Sequence, residues 1–375
     1  MKGARILNCF LISLLTLLLP AVTGCWDQRP LENLNIVFGL GVDVLEHSEG
    51  MIRLIADIPT FEREAKKESQ VIKREGFTLI NGLQRMQEKV TGLLVLGHVK
   101  VLVFGKEMAR KGLRSILNDL DRNPDFNSLA FIVVADGKAE DIFSIIPTEN
   151  PRVSAHIEKV LTVNEEYTAV PKLRFEDFMR LLYNKYSHGF MPLIAPLEGE
   201  KLIGIIGLAV FKDDKMVGKY NMNETFGFMI ASGRITEANY TIEKSDDGEG
   251  EKITVNIRGG QREIKVNHLG EIPEIELSYK IKTSYLREYN LHGNVFSEKK
   301  IKEIEEIISR DIQRLVTSVI KKQQEEFGSD TLEIGRFLAA HYPEYMKSVD
   351  WDTTFPKAKI NVNVSINLNR LGFHE

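Results

Sequence analysis

The sequence has only two cysteines among its 375 residues, Cys9 and Cys25. Two cysteines can form at most one disulfide, so a small scaffold held by several disulfides is excluded. The eight histidines are scattered, and no two of them lie within four residues of each other. That distribution lacks the ligand spacing of a zinc site. The sequence therefore predicts no metal, no cofactor, and a fold held together by its apolar core.

The sequence also lacks an excess of basic residues. It carries 49 Lys and Arg against 53 Asp and Glu, a formal net charge of −4 at pH 7. A nucleic-acid partner would require a basic surface, so we predict none. At about 150 residues per domain, the length indicates two or three domains.

Apolar runs of membrane-spanning length are missing as well. Residues 6–22 are apolar with three polar exceptions, but Pro20 interrupts this run, which is shorter than the roughly 20 residues that a spanning helix needs. Lys2 and Arg5 precede it. A basic start, a short apolar stretch and small residues at its end are typical of a secretory signal peptide. The longest later candidate, 202–211, has the length of a strand.

The end of this segment, Val22-Thr23-Gly24-Cys25, resembles a bacterial lipobox. The resemblance implies cleavage between Gly24 and Cys25, with S-diacylglycerol and N-palmitoyl groups on Cys25. The alternative is an ordinary signal anchor with an incidental cysteine. Removing residues 1–24 leaves 351 of the 375 residues, and the loss of Lys2 and Arg5 moves the formal charge from −4 to −6. We expect a protein anchored to a membrane by lipid rather than spanning it.

Residues 25–200 show strand-like apolar runs that alternate with helical patterns. Apolar spacing predicts helices over residues 76–90, 106–120 and 175–186. The continuous apolar run at 129–135 is typical of a strand buried on both faces. We therefore predict an N-terminal α/β domain over these residues.

Residues 201–375 differ in pattern. Apolar and polar residues alternate over 253–281 and again over 360–369, which predicts strands with one solvated face. Gly259-Gly260 is interpreted as a turn between two of these strands. An apolar stripe predicts one long helix from Ser297 to Phe327, capped by Gly328, and a shorter helix over 331–341. The predicted class is α+β, with an antiparallel sheet and a long helix in the C-terminal domain.

Patterns that could carry chemistry are few and isolated. Ser318-Val319-Ile320-Lys321 fits the Ser-x-x-Lys motif of serine acylases, but its companion motifs are absent. Gly39-x-Gly41 lacks the third glycine of a nucleotide loop. Paired carboxylates such as Glu305-Glu306 leave a cell-envelope lytic enzyme as an alternative. We predict no catalytic residue and a protein that is not an enzyme.

Eight segments stand out in order along the chain, at residues 24–29, 31–34, 41–43, 206–212, 215–218, 224–225, 324–335 and 351–355. This ordered set resembles the Ger(x)C spore germination lipoproteins, and the resemblance spans nearly the whole chain. One departure is Tyr345, where the family pattern leads us to expect Trp. The resemblance also implies several mixed α/β modules, which allows the N-terminal α/β domain a division into two.

The resemblance implies the C subunit of a nutrient germinant receptor, with integral-membrane A and B subunits as partners. It implies a location on the outer face of the spore's inner membrane and a role in assembly or signalling. A lipid-anchored solute-binding protein is the alternative, although the antiparallel second half differs from the two similar lobes usual in such proteins. Trp26 and Asp27 either orient the domain at the membrane surface or simply begin the tether.

Overall fold

Two sheets form the framework of the computed structural model. It describes residues 3, 13, 30, 33–45, 48, 50–60, 69–148, 150, 152–197, 201–244, 251–289 and 298–368. Among these residues no helix is both long enough and apolar enough to cross a membrane.

The larger sheet has eight strands in the order β10-β9-β8-β7-β6-β2-β3-β4. The four central strands, β8, β7, β6 and β2, pair in parallel, and the flanking strands pair antiparallel. The small β1 and β5 form a separate parallel pair. The strands up to β10 are β1 Leu34–Ile36, β2 Gly39–Val44, β3 Ile52–Pro59, β4 Ser69–Gly76, β5 Leu93–Val95, β6 Val101–Gly105, β7 Phe131–Ala135, β8 Phe190–Pro196, β9 Ile203–Lys212 and β10 Lys215–Asn221.

Helices cover both faces of this sheet. Every residue of β6 and β7 is buried, because alternate side chains enter the apolar layers above and below. In β6, Leu102 and Phe104 face the layer that includes α1, α3 and α6, whereas Val101 and Val103 face α4 and α5. The helices are α1 Leu79–Gln87, α2 Lys106–Lys111, α3 Arg114–Asp121, α4 Ala139–Phe143, α5 Val153–Glu166 and α6 Phe175–Leu182.

The single helix predicted over 106–120 is two helices, α2 and α3. They separate at Gly112, whose φ of 126° is incompatible with a continuing helix. The amide of Leu113 donates to the carbonyl of Asp214, and the amide of Arg114 donates to the Asp214 carboxylate, at 3.0 Å each. A hairpin 100 residues away thus supplies the partners that the helical ladder would have used. The helix predicted over 76–90 is shorter at both ends, since α1 spans Leu79–Gln87. The helix predicted over 175–186 is shorter at its C-terminal end, since α6 spans Phe175–Leu182.

The smaller sheet has the order β11-β12-β13-β14, with β14 parallel to β13 and the other pairs antiparallel. The predicted turn at Gly259-Gly260 is wrong: both glycines lie within β12, at a bulge where the φ of Gly259 is 83°. The remaining elements are α7 Met222–Ala231, β11 Ala238–Lys244, β12 Glu251–His268, β13 Glu274–Tyr289, α8 Glu298–Lys322, a π-helical turn Gln323–Phe327, α9 Ile334–His341, α10 Pro343–Ser348, α11 Trp351–Thr354, a 3₁₀ turn Phe355–Lys357 and β14 Lys359–Leu368.

Helix α8 packs along the smaller sheet and also protects its edge. Its buried stripe includes Ile304, Ile308 and Ile312, as predicted, and Gly328 ends the π-helical turn with a φ of 55°. The proposed cap Ser297 lies outside the described residues. Two side chains of α8 accept from amides of the edge strand β14. These are Ser309 from Ile366 at 3.2 Å and Glu305 from Leu368 at 2.8 Å. Such bonds occupy donors that an exposed strand edge would offer to another chain.

The predicted α+β class, with an α/β first half and a sheet and long helix in the second half, is confirmed. The sheet of the second half, predicted to be antiparallel, is so except at β14, which pairs in parallel with β13. The predicted division between residues 200 and 201 falls in the connection between β8 and β9. Those two strands are paired, so strands from both sides of residue 200 belong to the larger sheet.

Candidate functional site

The predicted lipidation site, Cys25, and the cleavage position after Gly24 lie outside the described residues. The nearest described feature is a turn in which the amide of Asn33 donates to the carbonyl of Pro30 at 3.0 Å. This turn leads directly into β1, which pairs with β5. Lipidation of Cys25 stays a prediction, and the chain that would carry it joins the domain at this small ladder.

The isolated motifs have structural explanations. The hydroxyl of Ser318 donates to the carbonyl of Leu315 at 2.7 Å, and both Ser318 and Lys321 lie on the exposed side of α8. Gly39 and Gly41 lie in β2 beneath the ring of Phe143, and a Cβ on Gly41 would fall 2.9 Å from that ring. The glycine pair therefore admits an aromatic side chain of α4 rather than a phosphate.

The carboxylates of Glu75 and Glu140 line an open groove of about 520 Å³, to which residues of β3 and β4 also contribute. Arg53 pairs with both of them, with Glu75 at 2.7 Å and with Glu140 at 2.5 Å. Lys73 binds Glu140 at 2.9 Å, and its hydrogen bond lowers the pKa of that carboxyl. A carboxyl held ionised by two cations is a poor proton donor, so this pair forms an ion-pair network rather than a glycosidase site.

Asp43, within the segment Gly41-Val42-Asp43, caps a helix from a neighbouring strand. Its two carboxylate oxygens accept from the amides of Ala139 at 2.8 Å and Glu140 at 2.9 Å, the first two residues of α4. Burial raises the pKa of the Asp43 carboxyl, and the two amide donors oppose that shift. The residue joins β2 to α4 and is 5% exposed, so its role is internal.

A second buried aspartate organises the segment 324–335. The carboxylate of Asp330 accepts from three amides, those of Leu332 at 3.1 Å, Ile334 at 3.2 Å and Gly335 at 2.7 Å. It also accepts from the indole Nε1 of Trp351 at 3.0 Å. Burial raises the pKa of Asp330, while these four donors favour its ionised form. Asp330 occupies the amides of Leu332, Ile334 and Gly335, and Glu333 is left-handed with a φ of 59°. The helix α9 therefore begins at Ile334 and not at residue 331 as predicted.

His188, in the segment that leads into β8, binds the same aspartate through backbone and ring. Its amide donates to the Asp330 carbonyl at 2.9 Å, and the Asp330 amide donates to Nδ1 of His188 at 3.2 Å. Nδ1 must therefore be unprotonated, which leaves the ring proton on Nε2, 3.5 Å from Asp352. Burial lowers the pKa of the His188 imidazole. With the ring neutral, His188 and Asp330 are joined by two hydrogen bonds, one in each direction, and the two residues lie on opposite sides of position 200.

We refer to Asp330, His188, Gly335 and Trp351 as the Asp330 hub. Gly335 fits because it has no side chain: a Cβ there would lie 2.3 Å from Nε1 of Trp351 and 2.5 Å from the carbonyl oxygen of Tyr186. The hydroxyl of Ser329 adds a bond to the carbonyl of Phe211 at 2.6 Å. The hub therefore fixes the segment 329–335 against two regions of the larger sheet.

The hub is suited to holding elements together rather than to chemistry. Asp330 is 1% exposed, and its carboxylate is surrounded by N–H donors, which leaves no open position for a substrate. Nowhere in the described part of the chain do three or more His, Cys, Asp or Glu side chains gather in a way that could hold a metal.

The sequence indicated part of this hub and missed the rest. The segments 324–335 and 351–355 were singled out by the family resemblance, and they contain Asp330, Gly335 and Trp351. His188 was not singled out, because a single histidine before a strand has no spacing that marks it. Its partner is 142 residues away along the chain.

Two family models match the chain. Residues 27–196 match the "Spore germination protein N-terminal domain", and residues 206–372 match the family "Spore germination B3/ GerAC like, C-terminal". The gap between the two matches contains the boundary predicted at residue 200.

Curated relatives of similar length are spore germination proteins. The spore germination protein GerQC of Bacillus cereus is 22% identical over 353 residues, with 94% of this chain and 96% of the relative covered. The spore germination protein B3 of Bacillus subtilis (strain 168) is 23% identical over 371 residues, with 96% and 97% covered. These relatives are named for a process and not for an enzymatic reaction.

The solved crystal structure of the GerBC protein has a similar fold. It superposes with a TM-score of 0.59 at 19% sequence identity, and the match covers 91% of this chain and 99% of that one. At this identity the likeness shows the fold alone, and the family models supply the relationship. The chain belongs to the Ger(x)C family of spore germination proteins.

Proposed function

We propose that this protein is the lipid-anchored C subunit of a spore nutrient germinant receptor. It acts with integral-membrane A and B subunits, on the outer face of the spore's inner membrane, in assembly of the receptor or in its signalling. One observation carries this proposal: the two family matches cover residues 27–196 and 206–372, and the cysteine of the predicted lipobox lies two residues before the first match.

The way the family-like segments are used supports a role without catalysis. Asp43 caps α4, Asp330 organises the hub, and Glu224 serves at a third junction. Glu224 accepts from the amide of Asn221 at 2.9 Å, which caps α7, and from Lys322 of α8 at 2.8 Å. Three residues from these segments thus bind neighbouring elements of the same chain. A chain whose elements are joined by such contacts suits a subunit that supports the receptor or transmits its signal.

The proposal is tested in spores that carry Cys25→Ala, with Cys9→Ala as the matched control. Cys9 lies within the predicted signal peptide, so its replacement removes a thiol without touching the lipobox. We expect Cys25→Ala to abolish lipid labelling, to reduce membrane association and to slow the nutrient-triggered loss of optical density. The Cys9→Ala spores are expected to respond as the parent does, and a receptor-independent trigger should act equally on all three.

Normal lipid labelling of the Cys25→Ala protein would contradict the anchor. Normal germination on every nutrient after deletion of the gene, in spores without other nutrient receptors, would contradict the receptor role. Melting temperature separates the solute-binding alternative, because a ligand that binds the folded state raises it. We expect no rise for the purified chain with any nutrient, and a clear rise would favour direct capture of solute.

A further inference from the structure

The tether between the proposed lipid and the described domain is short. Pro30, where the first described turn begins, follows Cys25 by five positions along the chain. An extended chain advances at most about 3.6 Å per residue, so this tether reaches no more than about 18 Å. If Cys25 is lipidated, as the proposed function requires, the turn at Pro30 must lie within that distance of the bilayer surface.

Along the chain, the first described strand after the tether is β1, which pairs with β5. Leu34 of β1 pairs with Leu93 of β5. Gly92 lies against the backbone of Asn33, where a Cβ would fall 2.7 Å from the Asn33 carbonyl oxygen. Leu93, next to that contact, is 41% exposed. A large apolar side chain therefore meets solvent directly beside the point where the tether joins the fold.

Leu93 is one wall of an apolar groove of about 360 Å³, which we call the β5 groove. The opposite wall is α1, where Ile80 is 56% exposed. Gln87 of α1 fixes the two walls, because its side chain donates to the Gly92 carbonyl and accepts from the Leu94 amide, both at 2.9 Å. The apolar residues that line the groove are Ile80, Leu83, Leu93, Leu94, Val95 and Leu96.

The rim of the β5 groove is mostly uncharged and polar. Gln84, Gln87 and Asn123 contribute amides, and Asp125 is the one carboxylate among the lining residues. Apolar side chains framed by amides suit the boundary between lipid headgroups and acyl chains.

We propose that the β5 groove is a bilayer-contact face, on which Ile80 and Leu93 enter the headgroup region while the lipid on Cys25 holds the chain at the membrane. The occupant is the lipid surface and not a second protein, because the tether keeps the turn at Pro30, which leads into β1 of this edge, within about 18 Å of the bilayer whatever subunits are present. The contact sets which side of the domain faces the membrane and leaves the opposite side free.

The test uses the full chain, purified with its lipid and reconstituted into protein-free vesicles of phosphatidylglycerol and phosphatidylcholine. Leu93→Cys and Ile80→Cys each receive an environment-sensitive fluorophore. The mature chain offers no other free thiol when Cys25 is lipidated. Ile272→Cys is the matched control, because Ile272 is 45% exposed, close to the value for Leu93, and lies between β12 and β13 of the smaller sheet.

We expect the probes at positions 80 and 93 to be quenched several-fold more by brominated lipid than the probe at position 272. Equal quenching at all three positions, in a chain that floats with the vesicles, overturns the contact and leaves the anchor intact. A chain that does not float overturns the anchor and, with it, the contact. Probes at 80 and 93 that are shielded in native membranes but not in vesicles overturn the lipid occupant and indicate a protein.

Discussion

The indole N–H of Trp351 donates to Oδ2 of Asp330 at 3.0 Å, and both residues are buried. The bond joins α11 to the turn before α9 across 21 positions of the chain. Through Asp330 it also reaches His188 beside β8. The pair therefore links a short helix near the C terminus to the larger sheet.

Trp351→Phe tests this bond, since it keeps an aromatic ring, although a smaller one, and removes the donor. A buried carboxylate that loses a partner is costly, so we expect the free energy of unfolding to fall by about 1–3 kcal/mol. Denaturant unfolding of the full chain measures it. Tyr345→Phe is the control, because it removes a hydroxyl bonded to the Gly270 carbonyl at 2.9 Å in a partly buried place. Equal losses in the two variants would show that Asp330 does not depend on the indole.

Gly335→Ala tests the packing of the hub. The new Cβ would overlap the Trp351 ring and the Tyr186 carbonyl, so we expect a loss of about 1–3 kcal/mol in unfolding free energy. Gly137→Ala is the control, because Gly137 is exposed and its nearest neighbour would lie 4.0 Å from the Cβ. That change is expected to be neutral or slightly stabilising. A harmless Gly335→Ala would mean that the hub can open without cost.

His188 predicts that stability falls in mild acid. Its pKa is lowered in the folded protein, chiefly by burial, while the unfolded imidazole titrates near pH 6.5. As the pH drops through about 6.5, the unfolded chain gains a proton that the folded chain does not, and the unfolding free energy decreases. The contribution of His188 to the unfolding free energy is fully present above about pH 6.5, and it is lost as the pH falls toward the lowered pKa of the folded protein.

The measurement compares urea midpoints at about pH 7.5 and pH 5.5. His188→Asn keeps an acceptor near the Asp330 amide but cannot titrate, so we expect its midpoint to change less between the two conditions than that of the parent. His98→Asn, at an exposed histidine, should behave like the parent. An unchanged pH response in His188→Asn would contradict the assignment.

Asp43→Ala tests the cap on α4. The amides of Ala139 and Glu140 would lose their acceptor, and the N-cap residue Lys138 supplies no side-chain capping hydrogen bond in its place. We expect a loss of about 1–2 kcal/mol, the range for removal of a helix cap. Asp121→Ala, at the exposed end of α3, is the control and is expected to change stability by less than about 0.5 kcal/mol. Thermal or urea unfolding of the parent and of both variants measures the two losses, and equal losses would contradict the cap.

Local patterns in the sequence were sufficient for several elements. The all-apolar run at 129–135 became the buried strand β7, because a central parallel strand must be apolar on both faces. The stripe with Ile304, Ile308 and Ile312 became the buried side of α8, because its 3.6-residue period is set by helix geometry alone. The glycine at 328 ended that helical stretch because it adopts a left-handed conformation easily.

The sequence by itself determined the α+β class and the family, since each depends on residues that are neighbours in the chain, and it predicts the lipid on Cys25. Only the tertiary structure decided where α2 ends and α3 begins, because the deciding acceptor, Asp214, comes from a distant hairpin. It also decided that His188 meets Asp330, and that Leu93 pairs with Leu34 of β1. Those relationships depend on strand order and on contacts between residues far apart in the chain, which no local periodicity encodes.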